Sequence, residues 1–161
     1  MNALVRVLDQ VYDHRGWQGT TLKGALRGVT PAQATWRPAP GRHNIWELML
    51  HAAYWKFVVR RHITGDRTLV FPRKGADWPR IPEPATRKEW RKDLACLSAE
   101  HRRLRDAVGR LTASELRRKS GGFRWTNLEQ LHGGAAHDAD HTGQIQVLKR
   151  LWLATTAPAL L

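Results

Sequence analysis

Sulfur is scarce in this chain. One cysteine, Cys96, stands among 161 residues, which excludes an intrachain disulfide framework and points to a reducing compartment. Acid is scarce as well: 14 Asp and Glu face 27 Lys and Arg, leaving a formal net charge of +13. No apolar run approaches the length of a membrane span. The first ten residues, M-N-A-L-V-R-V-L-D-Q, carry charge inside their apolar pattern, unlike a signal peptide. These gaps lead to the expectation of a soluble, cytoplasmic protein. Convincing strand patterns, internal repeats and low-complexity tracts are also missing. The length suits one domain, 1–161, large enough to bury a core without disulfides or a structural metal. A metal bound here would serve function rather than folding.

The excess of positive charge suits nucleic acid, anionic surfaces or acidic small molecules, and by itself selects none of them. The basic residues are scattered as Arg60-Arg61, Arg102-Arg103 and Arg117-Arg118-Lys119, the pattern of an Arg-rich solvated surface. No helix-turn-helix or zinc-finger spacing accompanies them, so nucleic acid is not the expected partner.

Helical periodicity is the dominant signal. Leu4, Leu8, Val11, Leu22 and Leu26, with Arg15 and Gln18 between them, predict a first helix from Asn2 to about Arg27, weakened by Gly16, Gly19 and Gly24. Thr30-Pro31-Ala32-Gln33 predicts a short capped turn. Asn44 and Glu47 cap a second helix running to about Thr64, where Gly65-Asp66 stops it. Residues 65–85 hold Gly65, Pro72, Gly75, Pro79 and Pro82, and predict a long crossover pinned by Phe71 and Trp78. Thr86 and Glu89 open a third helix to about Arg110, Thr112 and Glu115 a short one, and Thr126 and Glu129 the last. Residues from Thr155 onward are expected to fray. The expected class is all-α: a four-helix bundle whose second and third helices run parallel because the crossover spans its length, an up-down-down-up arrangement.

The last helix carries H-D-A-D-H-T-G-Q at 137–144. Residues four apart on a helix are about 40° apart around its axis, so His137 and His141 project from one face, one turn apart. Gln144 follows within roughly 20° of that line, and Leu148 and Leu151 continue it toward the core. In the second helix His51 lies within the stripe of Leu48, Ala52 and Trp55, which makes it the candidate third ligand. His62 and His101 share core-facing stripes but lie too far along their helices to join, and His132 is out of phase with His137. Gly133-Gly134 and Ala135-Ala136 offer little bulk, so a neighbouring helix is expected to approach there. Cys96 falls off its stripe and reads as a packed or partly exposed thiol without a catalytic role. Most of the eight tryptophans lie on or beside core stripes; one or two near the open end of the site would form a substrate wall.

The chain resembles the DinB/YfiT-like superfamily of metal-binding four-helix bundles, over nearly its whole length. T-P-A-Q-A-T-W-R-P-A-P-G-R-H-N-I-W-E-L-M-L-H resembles that family's lead into its second helix, and W-T-N-L-E-Q-L-H-G-G-A-A-H-D-A-D-H-T-G-Q-I its last helix. The resemblance implies a long crossover between parallel second and third helices and three histidine ligands, which map onto His51, His137 and His141. It also implies either metal-dependent hydrolysis or use of a low-molecular-weight thiol. The Arg-rich balance and the core-facing His101 depart from it.

Three neutral imidazoles suit Zn²⁺, Ni²⁺, Co²⁺ or Fe²⁺, with zinc or nickel favoured here, and leave coordination open for chemistry. Either a thiol activated on the metal attacks an electrophile, or activated water cleaves an ester or amide. Hydrolysis calls for a nearby general base, and the candidates, Glu47, Asp140 and Gln144, are poor: Glu47 is placed as a helix cap and Asp140 as a group behind a ligand. That favours thiol transfer slightly. The expected partner is a small molecule, with anions favoured by the surface charge; homodimerisation is left open. The rival from another class is a basic helical bundle that binds nucleic acid or a protein.

Overall fold

Small capping side chains decide where the helices begin. The computed structural model describes residues 3–156, and in them Thr21, Thr30, Asn44, Thr86 and Thr112 each accept a hydrogen bond from the backbone N–H three residues on. The resulting elements are α1 (Ala3–Tyr12), α2 (Leu22–Ala25), α3 (Pro31–Thr35), α4 (Ile45–Thr64), α5 (Arg87–Gly109), α6 (Ala113–Arg117) and α7 (Asn127–Thr156). Asn44 with Glu47 and Thr112 with Glu115 form reciprocal capping boxes. At α7, the Thr126 N–H donates to Glu129 Oε2 at 2.7 Å and the Glu129 N–H to Thr126 Oγ1 at 3.2 Å. The Thr86 cap is one-sided, because the Glu89 carboxylate is drawn to Arg73 instead. Gly65 ends α4 at φ 69°, the left-handed conformation that glycine adopts without steric cost.

The described residues are all helix and loop, with two isolated bridges and no strand. Among them, no helix is long and apolar enough to cross a membrane. Thr155 and Thr156 are helical, contrary to the fraying expected from Thr155 onward, and the rest of that tail lies outside the described residues.

The first helix departs from expectation. Instead of one helix from Asn2, itself outside the described residues, to about Arg27, α1 stops at Tyr12 and α2 starts afresh at Leu22. Gly16 and Gly19 make a tight bridge between the two, with Gly19 at φ 94°. Glycine's low helix propensity on both sides of Trp17 outweighs the leucine periodicity. Arg15 and Gln18 are consequently exposed rather than part of a stripe, and Trp17 stands fully in solvent.

Most of the core comes from α1, α4, α5 and α7, and Leu22 and Ala25 of α2, Ala34 of α3 and Phe71 of the crossover add to it. α4 touches α3, α5 and α7, while α1 touches α5 and α7. From α4 to α5, Trp46 meets Asp93 and, farther along, Arg60 meets Glu100, so these contacts advance in the same direction along both helices. From α4 to α7 they run in opposite directions: the His51 ring meets that of His141, Lys56 meets Asp138 and His62 meets Gln130. The crossover between α4 and α5 is held down as expected, since Phe71 is buried against Tyr54 and Phe57.

Two apolar clusters fill the interior, one around Trp46, Leu50 and Leu97, the other around Leu8, Leu104 and Leu131. Several buried charges accompany them. Lys56 pairs with Asp138, Arg60 Nη2 lies 2.9 Å from Glu100, and Asp9 receives both Arg105 Nε, at 2.9 Å, and His101 Nε2, at 3.2 Å. Buried charge is tolerable only when paired in this way.

Candidate metal centre

α4 and α7 bring His51, His137 and His141 to one point. His137 Nε2 lies 3.0 Å from His51 Nε2 and 2.9 Å from His141 Nε2, and one ring nitrogen of each lies within 4.8 Å of the others. His51 and His141 are buried and His137 is half-buried. The one-turn spacing on α7 aligns two of the rings, and the crossing of α4 supplies the third.

The far sides of the rings fix their tautomers. His51 Nδ1 donates to the Asp77 carbonyl at 2.6 Å, and His141 Nδ1 faces Gln144 Oε1 at 3.4 Å. With protons assigned to those Nδ1 atoms by their acceptors, both rings turn an Nε2 lone pair inward. His137 Nε2 stands between the two, and a single proton there satisfies only one of them. Burial pushes all three imidazoles toward the neutral form. For His137 the value falls to about 3, with the His141 and His51 rings and Lys56 adding to the effect. His51 and His141 also lie below the ordinary histidine range, chiefly through burial.

Neutral imidazoles with converging lone pairs are the ligand form for a divalent ion. The two observed Nε2 spacings are slightly under the roughly 3.3 Å edge of a tetrahedron with bonds of about 2.0–2.1 Å. The residues present therefore fit a metal ion, and the three-histidine group could hold one.

The surroundings rank the other candidates. Glu47 is not at the cluster: its carboxylate is taken by the Arg37 guanidinium, by His43 Nδ1 at 3.2 Å and by the Asn44 N–H at 3.2 Å. Asp140 accepts from Gln144 Nε2 at 2.7 Å and comes no closer than 3.8 Å to His141 Nδ1, so it steadies Gln144 behind the ring. Gln144 is the group that orients His141. His62 bonds Gln130 at 3.0 Å. His101 stacks on Tyr12 at 3.8 Å and bonds Asp9. Neither belongs to the three-histidine group. Burial raises the Cys96 thiol to about 11, in keeping with a packed, unreactive sulfur.

Two contributors lie in the crossover, where helical periodicity gives no guidance. Asp77 sits at φ 61°, unusual for a residue other than glycine. In that conformation its carbonyl meets His51 while its carboxylate accepts from Trp55 Nε1 at 2.7 Å. Trp78 stacks on the His51 ring at 3.9 Å and on His43 at 3.6 Å, sealing one side of the cluster. The signal for Asp77 was its position between Gly75 and Trp78 in a proline-rich loop, since aspartate tolerates the left-handed region better than most residues.

The other side is open. Of the small residues expected to admit a neighbouring helix, Ala135 does pack, in the cluster with Leu8 of α1 and Val59 of α4, but Gly133 and Gly134 do not: a Cβ added at either would meet nothing within 4 Å. They border a groove of about 780 Å³ that reaches His137.

No curated protein and no solved structure gives a significant match to this chain. A family model does: that of the DinB superfamily matches residues 16–145, a span that takes in α2 through most of α7 and all three clustered histidines. The chain belongs to the DinB superfamily.

Proposed function

We propose that His51, His137 and His141 ligate one divalent metal ion, zinc or nickel by donor chemistry, and that the protein uses it to transfer a low-molecular-weight thiol to an electrophile. The scaffold in this reading is a single four-helix-bundle domain of α1, α4, α5 and α7, with up-down-down-up topology. A divalent ion held by three neutral imidazoles supplies an open position at which a thiol loses its proton near neutral pH.

The chain's own residues hold and shield the donors. The Asp77 carbonyl and Gln144 fix the two outer rings, Asp140 steadies Gln144, and Trp78 covers His51. The observation that carries thiol transfer over hydrolysis is the placement of the carboxylates. Glu47 is consumed by Arg37 and the helix cap, and Asp77 and Asp140 lie behind the imidazoles on the Nδ1 side. A general base for water would have to face the Nε2 side, whereas a thiol activated by the ion needs no such base.

The test is spectroscopic, then kinetic. Adding a low-molecular-weight thiol to the Co²⁺-loaded protein should produce a sulfur-to-metal charge-transfer band, and thiol conjugation to an electrophile should vanish in His51→Ala. Cleavage of activated esters without a thiol band would favour the hydrolase instead. Metal-independent, steeply salt-dependent DNA binding with neither activity would favour the basic module.

A further inference from the structure

The groove beside the cluster has a chemistry of its own. Trp55 from α4, Phe123 and Trp125 from the α6–α7 loop and Leu128 from the first turn of α7 form its walls, and His137 closes one end. No lysine or arginine lines it, although the Arg124 guanidinium lies over the ring of the wall residue Trp125, 4.3 Å from its centroid. Two of its polar residues are already engaged: Glu129 accepts from the Thr126 N–H at 2.7 Å, and Gln130 bonds His62 at 3.0 Å. Trp125 leaves 44% of its surface exposed, and its ring lies 6.2 Å from that of Phe123.

The glycine pair along one edge has no packing explanation. Glycine is the poorest helix former after proline, and in helices it usually marks a close approach by another element. Here a Cβ would meet nothing within 4 Å at either position, so the missing side chains keep the groove open rather than admit a neighbour. A cavity of about 780 Å³ is within the range of small-molecule sites, roughly 300–1,000 Å³. It is contiguous with the metal centre through His137, whose Nε2 faces both partner rings.

We infer that this groove binds the uncharged, aromatic portion of the electrophilic substrate and directs its reactive carbon toward the histidine cluster. Flat π faces on Trp55 and Phe123, and the face of Trp125 that Arg124 does not cover, suit an aryl group, and the absence of lysine and arginine from the lining gives a carboxylate or phosphate no such partner within the groove. The general basicity of the surface therefore does not set specificity here. The assignment of the ligand as an electrophile rests on the thiol-transfer reading; the aryl-binding property of the groove does not.

The test uses N-phenyl-1-naphthylamine, an uncharged aromatic fluorophore, with the full chain in metal-loaded and metal-stripped forms. Wild-type protein should bind it saturably in both forms. Gly133→Leu and Gly134→Leu place an isobutyl group in the open space and should weaken binding by about tenfold or more, with metal content and melting temperature no lower than wild type. Unchanged affinity in both variants would overturn the groove assignment whatever the metal does. In the loaded enzyme the same variants should raise KM for an aryl electrophile relative to a small aliphatic one, such as iodoacetamide. A parallel change for both electrophiles would overturn the specificity role. If the probe is blocked as expected but no thiol is ever transferred, the groove stands and the thiol-transfer reading fails.

Discussion

The helical fold holds two kinds of core-facing histidine, and their difference separates a candidate ligand from a structural residue. His101 on α5 presents Nε2 to the Asp9 carboxylate, which Arg105 also pairs, and its ring stacks on Tyr12. His137 on α7 presents Nε2 to two other imidazoles. Burial drives both toward the neutral form, to about 4 and about 3. Only the second arrangement is left with converging lone pairs that a cation would satisfy. Core-facing phase along a helix does not distinguish them; the atom facing Nε2 does.

If that contrast is right, the buried ion pairs are structural and the histidine cluster is not. The largest expected effect is therefore on stability, away from the cluster's own rings. Asp138→Ala strands Lys56 without its carboxylate in a buried setting and should destabilise the protein by roughly 3–5 kcal/mol in denaturant titration. A loss under about 1 kcal/mol would mean that Lys56 reaches water.

Next comes the acid limb of stability. His101 has its folded pKa depressed to about 4 by burial and by Lys56, against the raising influence of Asp9 and Asp13, while Arg105 and Tyr12 complete its surroundings. The unfolded chain binds this proton near pH 6.5 and the folded chain only near 4. Stability is thus unaffected above about 6.5 and is lost as pH falls through that window, on the order of a few kcal/mol for this group. His101→Gln should flatten that part of the stability profile measured by urea titration between pH 7 and 4. An unchanged slope would assign the acid sensitivity elsewhere.

Smaller effects probe the supports of the cluster. Gln144→Ala removes the acceptor behind His141 and should weaken metal binding by about tenfold, the lower end of what outer partners contribute. An affinity equal to wild type would show that the 3.4 Å contact does not orient the ring. The smallest effect is favourable: Gly134→Ala adds a methyl where nothing lies within 4 Å and should stabilise α7 by about 0.5–1 kcal/mol. Destabilisation would mean that the helix needs glycine there for another reason.

Much of this is legible in the sequence alone. Asn44 with Glu47, Thr112 with Glu115 and Thr126 with Glu129 read as caps and are caps, because side-chain capping depends on neighbours three residues away. The convergence of His51, His137 and His141 followed from helical phase and from the family resemblance, and the structure brings them together. What failed to show depends on local competition between signals or on contacts distant in sequence. The break after Tyr12 arises where two glycines overrode a leucine pattern. The use of Asp77 depends on a backbone conformation in an aperiodic loop. Lys56 and Asp138 look like surface charges until α4 and α7 meet, as they do 82 positions apart. The direction in which Gly133 and Gly134 open is a property of what does not pack against them.

The most direct test is calorimetric titration of metal-stripped protein with Zn²⁺ and Ni²⁺, comparing wild type with His101→Gln, His137→Ala and His141→Ala. Wild type and His101→Gln should each bind about one ion per chain tightly, and both α7 variants should lose that site. Retention of the wild-type stoichiometry in both His137→Ala and His141→Ala, or its loss in His101→Gln with the fold intact, would contradict the distinction between the two kinds of histidine.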